Sequence, residues 1–552
     1  PQQRQRLQCT SVLHDKSKSL GPRQCVAESD FERQRDDGNQ GLGTTSSSSP
    51  RDVPSQRLGV IDIGSNSIRL VVYDHLSRAP LPLVNRKAVL GLGRDVERFG
   101  RLSDELIEQA LDSIEALVRM AQDVPVSSLD LLATAGVRSA ENGDALCMAI
   151  KGRTGHEVSI LSGNEEARLS AMGVMSAVPG LTGVIGDLGG GSLELIAVRE
   201  GAIVDQTSLE IGALRLIERA EGDLEKAPAI VNNVLEGVTW LKAWRDQPFY
   251  AVGGAWRAVA RLHMAQQAYP LQMVHGYRMA LRETRDFIEL LEHLGPKTIA
   301  KIQAVSPKRA ETIPWGSVVL ECLSRILRPD EFFYSAHGLR EGHHFRMLDT
   351  QTQLEDPLLT ACHELAGQHR RFADASETLL TWLSPLLARM PAMTERLARS
   401  ACIIADMGWG EHPTYRAPQS MLRVLRMPWS VLDHLERAFL ALAVFVRYGG
   451  SSGSKFVADC HRLLDEDAIA DAKALGKALR LALEICSGRG PVLAATRIED
   501  HDSYLVLAVR QEALSVGTDK IERYAASTGR ALHVPIKVVI EDRGPEIGKA
   551  AR

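Results

Sequence analysis

Two short segments of this 552-residue chain carry the same reactive residues in the same frame. Residues 60–71 read V-I-D-I-G-S-N-S-I-R-L-V and residues 185–196 read I-G-D-L-G-G-G-S-L-E-L-I. Asp62 thus aligns with Asp187, Gly64 with Gly189 and Ser67 with Ser192. An apolar run precedes each Asp and an alternating run follows each Ser, which predicts a strand, a Gly-rich turn and a second strand. The tip of such a hairpin offers backbone N–H groups to a phosphate, and small residues let the anion approach closely. The Asp can hold a hard cation through oxygen contacts. Asp and Gly are also ordinary turn residues, so a single copy would read as a plain turn. Two copies in one frame read as a phosphate clamp. Gly64, Ser65, Asn66 and Ser67 form one side, and Gly189, Gly190, Gly191 and Ser192 the other.

A clamp becomes a catalyst only with a base beside it, and residues 160–175 (I-L-S-G-N-E-E-A-R-L-S-A-M-G-V-M) offer two. Ser162 and Glu165 form S-x-x-E, a capping box that occupies Glu165 with the helix start. Glu166, turned ~100° further round the helix, has no such duty. It is either the base or a solvated acid favoured by the helix dipole. Arg138 follows a predicted strand, where its fork suits phosphate oxygens, although a surface pair with Glu141 is the competing reading. Glu194 lies two residues after Ser192 on the same face of its strand, as a metal-side acid or as the partner of a base. The first copy carries Arg69 at that place. A third turn, Gly253-Gly254, again leads from strand to helix and reads as a substrate-facing loop.

These residues need two α/β units to position them. A hairpin, a helix near 103–122 with Ser103 at its N-cap, a strand at 129–134 and a further helix make up the first. The second opens with the repeat, continues through helices at 213–220 and 228–244 and strand 249–252, and runs to residue 345. The expected boundaries are a disordered leader over 1–56, α/β halves at 57–184 and 185–345, helices over 350–490 and a small β-containing piece over 491–552. Segments 356–390, 393–407 and 428–448 have apolar residues at helical spacing, while 492–510 and 532–540 alternate like strands.

A net charge of −4 provides no global field for nucleic acid, so any polyanion must meet a local basic groove. The eight cysteines show no metal spacing and read as reduced thiols. No apolar run is long enough to span a bilayer, and the expected location is the cytoplasm.

The motifs D62-I-G-S-N-S67, S162-G-N-E-E-A-R168, D187-L-G-G-G-S-L-E194, G253-G-A-W-R257 and S335-x-x-G-L-R-E-G342 resemble the exopolyphosphatase/guanosine pentaphosphate phosphohydrolase family. The resemblance implies an actin-like, sugar-kinase-type fold with two ribonuclease-H-like halves around a cleft. It implies hydrolysis of a terminal phosphoanhydride, of inorganic polyphosphate or of guanosine pentaphosphate. Mg²⁺ would assist, with a monovalent cation as a further candidate. Glu166 matches the family's catalytic glutamate. Asp62, Asp187 and Glu194 would serve the metal, Arg138 the phosphate oxygens, and the two turns the terminal phosphoryl groups. A homodimer without a nucleic-acid partner is the expected assembly.

Family members of this length often carry a C-terminal region related to metal-dependent HD phosphohydrolases. Here Ala405 in A401-C-I-I-A-D-M-G-W409 stands where a metal-binding His would, and Asp406, His369, His412 and His434 do not rebuild the site. The region therefore reads as a non-catalytic domain that lengthens a channel or mediates dimerisation. An ATP-dependent small-molecule kinase and a silent phosphate-binding regulator are the competing function classes on this fold.

Overall fold

The computed structural model describes residues 56–302, 304–369, 374–451, 453–510 and 517–541. The expected leader, apart from residue 56, lies outside the described residues, as does the end of the chain.

The first half is a five-stranded sheet ordered β3-β2-β1-β4-β5. Its strands are β1 (Leu58–Ile63), β2 (Ile68–Tyr73), β3 (Pro82–Ala88), β4 (Ser128–Ala133) and β5 (Val158–Ile160). β1 pairs antiparallel with β2 and parallel with β4. Buried on both faces, β1 is apolar almost throughout, as a central strand must be. The second half repeats this order with β6 (Gly183–Leu188), β7 (Leu193–Arg199), β8 (Ala202–Leu209), β9 (Phe249–Gly253), β10 (Tyr277–Ala280) and β11 (Glu331–Tyr334). Its sheet runs β10-β11-β9-β6-β7-β8, the pattern of the first read backwards with one antiparallel strand added at the edge.

Strand periodicity decides which residues meet. Ile61 and Ile63 pack outward under the Asp104–Gln122 helix, whose Leu111, Ile114 and Leu117 cover them. Leu58 and Val60 point inward, and Asp62 shares their face. Likewise Ile185, Ile196 and Val198 belong to the inner face of the second sheet, the face of Asp187 and Glu194.

Between the two inner faces lie the helices Gly163–Ala177 and Leu339–Arg346. They cross closely, since a Cβ on Gly173 or Gly342 would collide with the other helix's backbone. The last helix of the second half therefore completes the core of the first, where Leu339 packs with Leu58, Val60 and Leu132. Of the helices expected over 213–220 and 228–244, the first spans Ala213–Arg219. The second ends at Glu236 and resumes as a tight turn over Thr239–Trp244. Gly237, followed by β-branched Val238 and Thr239, weakens helix propagation there.

Beyond residue 356 the helices Pro357–His369, Ser376–Leu387, Glu395–Ile404, Arg416–Arg426, His434–Arg447 and Glu466–Cys486 surround one apolar core. Arg416–Arg426 and Glu466–Cys486 fall within the helical region expected over 350–490 but outside the three segments singled out there. The closing sheet, β12 (Thr496–Asp500), β13 (Leu505–Arg510) and β14 (Ile536–Glu541), adds Leu505, Leu507 and Val509 to that same core. β13 and β14 run parallel, joined by helix Thr518–Ala531, which the alternating pattern alone did not disclose. No helix among the described residues is long and apolar enough to cross a membrane.

Candidate active site

Both repeats form hairpins with the same closing bond: Gly64 N–H donates to Ser67 O (3.1 Å) and Gly189 N–H to Ser192 O (2.9 Å). The two tips touch. A Cβ on Gly191 would lie 3.0 Å from Ser65 Oγ, so this approach leaves no room for a side chain. Neighbouring amides hold the tips by their carbonyls: Gly91 and Gly93 donate to Asn66 and Ser65, and Ala213 and Leu214 donate to Gly189 and Gly190. The N–H groups of Ser65, Asn66, Gly190 and Gly191 donate to no acceptor among the described residues. Backbone donors in an enclosed place require a partner, and these four open on a common cleft of about 190 Å³.

Asp62, the residues of both turns, Glu166, Asp187, Gly253 and Gly254 all line this cleft. Asp187 accepts a bond from Ser170 Oγ–H (2.5 Å), and Asp62 lies 3.9 Å from Arg340 Nη1. Burial raises both carboxyls above the usual range, and Asp187 raises Asp62 further. Gly253 adopts φ 108°, a conformation reserved for glycine, and Arg309 covers Gly254.

Ser162 and Glu165 form both bonds of the capping box. Ser162 Oγ accepts from the Glu165 N–H (3.2 Å), and Glu165 accepts from the Ser162 N–H (2.8 Å). Glu166 is turned away from that duty, and its carboxylate is 12 % exposed. Ser170, one turn on, shares its face and also lines the cleft. Desolvation pushes the Glu166 carboxyl up to about 7 against the opposing pull of Arg138. Arg138 stands off the cleft lining. Its Nη1 donates to Leu161 O (2.6 Å) and Glu166 (2.9 Å), so the competing pair with Glu141 is not the one formed.

Glu194 also stands behind the cleft. It is buried, accepts from Ser208 Oγ–H (2.8 Å), and is raised well above the usual range by burial and by Glu166. Among the described residues, no group of three or more His, Cys, Asp or Glu side chains is gathered as a metal cage. Of the three carboxylates that line the cleft, Glu166 is bonded by Arg138, and Asp62 and Asp187 are left to suit a small hard cation that takes its other ligands from water and phosphate.

Five cations complete the lining: Arg69, Lys87, Arg257, Arg309 and Arg340. Burial and Arg340 bring Arg257 down to about 10. Burial and the guanidiniums of Arg309, Arg69, Arg257 and Arg340 bring Lys87 down to about 8. Arg340 is buried, and its Nε has no partner among the described residues. Arg257 and Arg340 were visible inside the G-G-A-W-R and G-L-R-E-G strings, without an assigned role. Lys87 and Arg309 had no local signal and reach the cleft only through the tertiary fold. In the C-terminal region Asp406 pairs with Arg447 (3.2 Å). His434 Nε2 bonds the His275 carbonyl (3.1 Å), and the His369 side chain lies outside the described residues.

The model of the Ppx/GppA phosphatase family matches residues 71–351, and the exopolyphosphatase C-terminal model matches 358–533. Exopolyphosphatase 1 of Mycobacterium tuberculosis is 28% identical over 307 residues, 53% of this chain and 89% of that protein. The guanosine-5'-triphosphate,3'-diphosphate pyrophosphatase of Vibrio atlanticus is 25% identical over 342 residues, 60% of this chain and 67% of that one. In structure, an exopolyphosphatase from Cytophaga hutchinsonii superposes with a TM-score of 0.50 at 26% identity, covering 53% of this chain and 97% of its own.

Proposed function

The chain belongs to the Ppx/GppA phosphatase family and is a phosphoanhydride hydrolase, and on that premise we propose that it releases terminal orthophosphate from inorganic polyphosphate. The observation that carries the choice of substrate is the lining of the cleft. Five cations surround the unpartnered amides of the two tips, and no aromatic side chain among the described lining residues offers a platform for a guanine ring.

The terminal phosphoryl group rests against the N–H groups of Ser65, Asn66, Gly190 and Gly191, which match its oxygens without reorganisation. Arg257 and Arg340 balance the charge of the bridging and next phosphate oxygens, and Lys87 and Arg309 attract the following units. Glu166 takes a proton from a water whose oxygen bonds the terminal phosphorus. The bridging P–O bond breaks, and its electron pair stays on the shortened chain. A pKa near 7 suits this work, because the carboxylate is a better base than an ordinary one and still half ionised at neutral pH. Arg138 keeps that carboxylate oriented. Mg²⁺, held by Asp62 and Asp187, would supply charge neutralisation at the phosphate oxygens during transfer.

The test compares phosphate release from long-chain polyphosphate and from guanosine pentaphosphate with purified protein and Mg²⁺. The expected result is a kcat/KM at least about tenfold higher on polyphosphate, the equivalent of ~1.4 kcal/mol. The reverse preference would transfer the assignment to the nucleotide.

A further inference from the structure

Behind the cleft lies a second cavity of about 140 Å³. It sits where the 74–82 connection, the Leu339–Arg346 helix and the 428–431 turn of the C-terminal region meet. Pro80, Phe345 and Trp429 provide apolar walls, and Arg78, Asn85 and Glu341 provide the polar ones.

Arg78 brings to this cavity a charge that no carboxylate contacts directly, although Asp356 and Glu355 act on it from further off. Arg78 is buried, donates to the carbonyls of Gln353 (3.2 Å) and Ser176 (2.8 Å), and lies 4.8 Å over the Phe345 ring. No carboxylate among the described residues pairs with it, although a guanidinium stays ionised when buried. Glu341 is already engaged by the Gly338 N–H (3.0 Å), by Tyr73 Oη–H (3.4 Å) and by the charge of Arg340. His344, also at the wall, is held neutral, its pKa drawn down to about 4 by burial. Trp429 is buried too, and its indole N–H donates to no acceptor among the described residues. A buried guanidinium with no carboxylate in ion-pair distance, beside the Trp429 indole in apolar walls, suits an anion with a flat apolar body. The size agrees, because an apolar cavity of roughly 150 Å³ takes one benzene ring.

Two short links join this cavity to the cleft. Glu341 lines the cavity, and the preceding residue, Arg340, lines the cleft beside Asp62. Asn85 lines the cavity, and its Oδ1 accepts from Arg69 Nε (2.8 Å), which lines the cleft. We propose that this cavity is an effector site for a small aryl carboxylate, held by Arg78 and Trp429. Its occupancy acts on hydrolysis through Arg340 and Arg69.

The probe is 4-fluorobenzoate, followed by ¹⁹F NMR on the full chain, a readout that needs no catalysis and so stands apart from the substrate assignment. Saturable binding in the millimolar range is expected, as a single-ring ligand allows. It should weaken at least about tenfold in Arg78→Gln, which removes a charged hydrogen-bond donor. Ala79→Phe, which plugs the cavity without touching the cleft, should abolish it and keeps the test valid if the Arg78 variant unfolds. Saturating benzoate should change kcat/KM for polyphosphate at least twofold in the wild type and leave the Ala79→Phe enzyme unaffected. Absence of saturable binding, or binding undiminished in Ala79→Phe, overturns the site. Binding without a rate change overturns the effector role.

Discussion

The two hairpins share a backbone and oppose each other in charge. In the first, Asp62 stands opposite Arg69 across the β1/β2 ladder; in the second, Asp187 stands opposite Glu194 in the same register. Arg69 in turn faces Lys87 on β3, and Asn85 holds it at 2.8 Å. Glu194 instead faces Ser208 on β8, with Glu166 close enough to raise it. The duplicated turn therefore contributes only its amides and one Asp to each side. The adjoining strand position makes one side cationic, with Arg69 beside Lys87, and the other acidic, with Glu194 beside Glu166. On the proposed function, the first would meet the entering phosphate chain and the second the attacking water.

The largest expected effect comes from disabling the acidic side. Glu166→Gln should lower kcat by ~10²–10⁴ while KM changes little, measured as phosphate release at saturating polyphosphate. The wild-type rate should fall as pH drops through about 7, because the protonated carboxyl cannot accept a proton; a low-pH plateau equal to the neutral rate would remove Glu166 from the reaction. The next effect comes from making the first hairpin resemble the second. Arg69→Glu should raise KM at least about tenfold, since hydrogen bonds to charged groups contribute roughly 1.5–3 kcal/mol. An unchanged KM would mean that the contrast between the hairpins is not used in binding.

A stability measurement sharpens the same contrast. The folded-state pKa of Glu166 is raised, so its favourable contribution is complete at low pH and is lost as pH rises through about 7. Glu166→Gln should therefore melt higher than wild type at pH 8 and alike at pH 4, a gain on the order of 1–3 kcal/mol. Equal melting temperatures at pH 8 would show that the carboxylate is not strained in the fold. The smallest effect belongs to the rim. Lys87→Gln should raise KM about two- to fivefold at low ionic strength and not at high salt, as for a partly screened charge. Because the Lys87 ammonium loses its proton near pH 8, the variant should also lack the alkaline decline of kcat/KM seen in wild type.

Local patterns were legible where local interactions decide the structure. The hairpins follow from alternation and Gly-rich turns, and the Ser162–Glu165 box and the Asp104–Gln122 helix follow from spacing alone. The box also freed Glu166 for the cleft, so a capping argument yielded a functional candidate. What stayed hidden depends on contacts distant in sequence. Lys87 and Arg309 look like any surface cations until the sheet edge and the 307–312 turn bring them beside the tips. Arg138 is read from sequence as a phosphate ligand or as the partner of nearby Glu141, whereas the carboxylate it bonds is 28 residues away. Glu194 was placed on the correct strand face, but how far its carboxylate stands from the opening depends on β8, which pairs alongside.

The crossing of the Gly163–Ala177 and Leu339–Arg346 helices has a consequence for how the chain is made. The inner face of the first sheet is finished by a helix translated only after the whole second half. During synthesis Leu58, Val60 and Leu132 have only Leu161, Leu169 and their own sheet to pack against until Leu339 emerges, so the core of the first half stays incomplete until then. The halves repeat each other in design, yet they are born as one cooperative body, and a fragment ending before Leu339 should aggregate instead of folding.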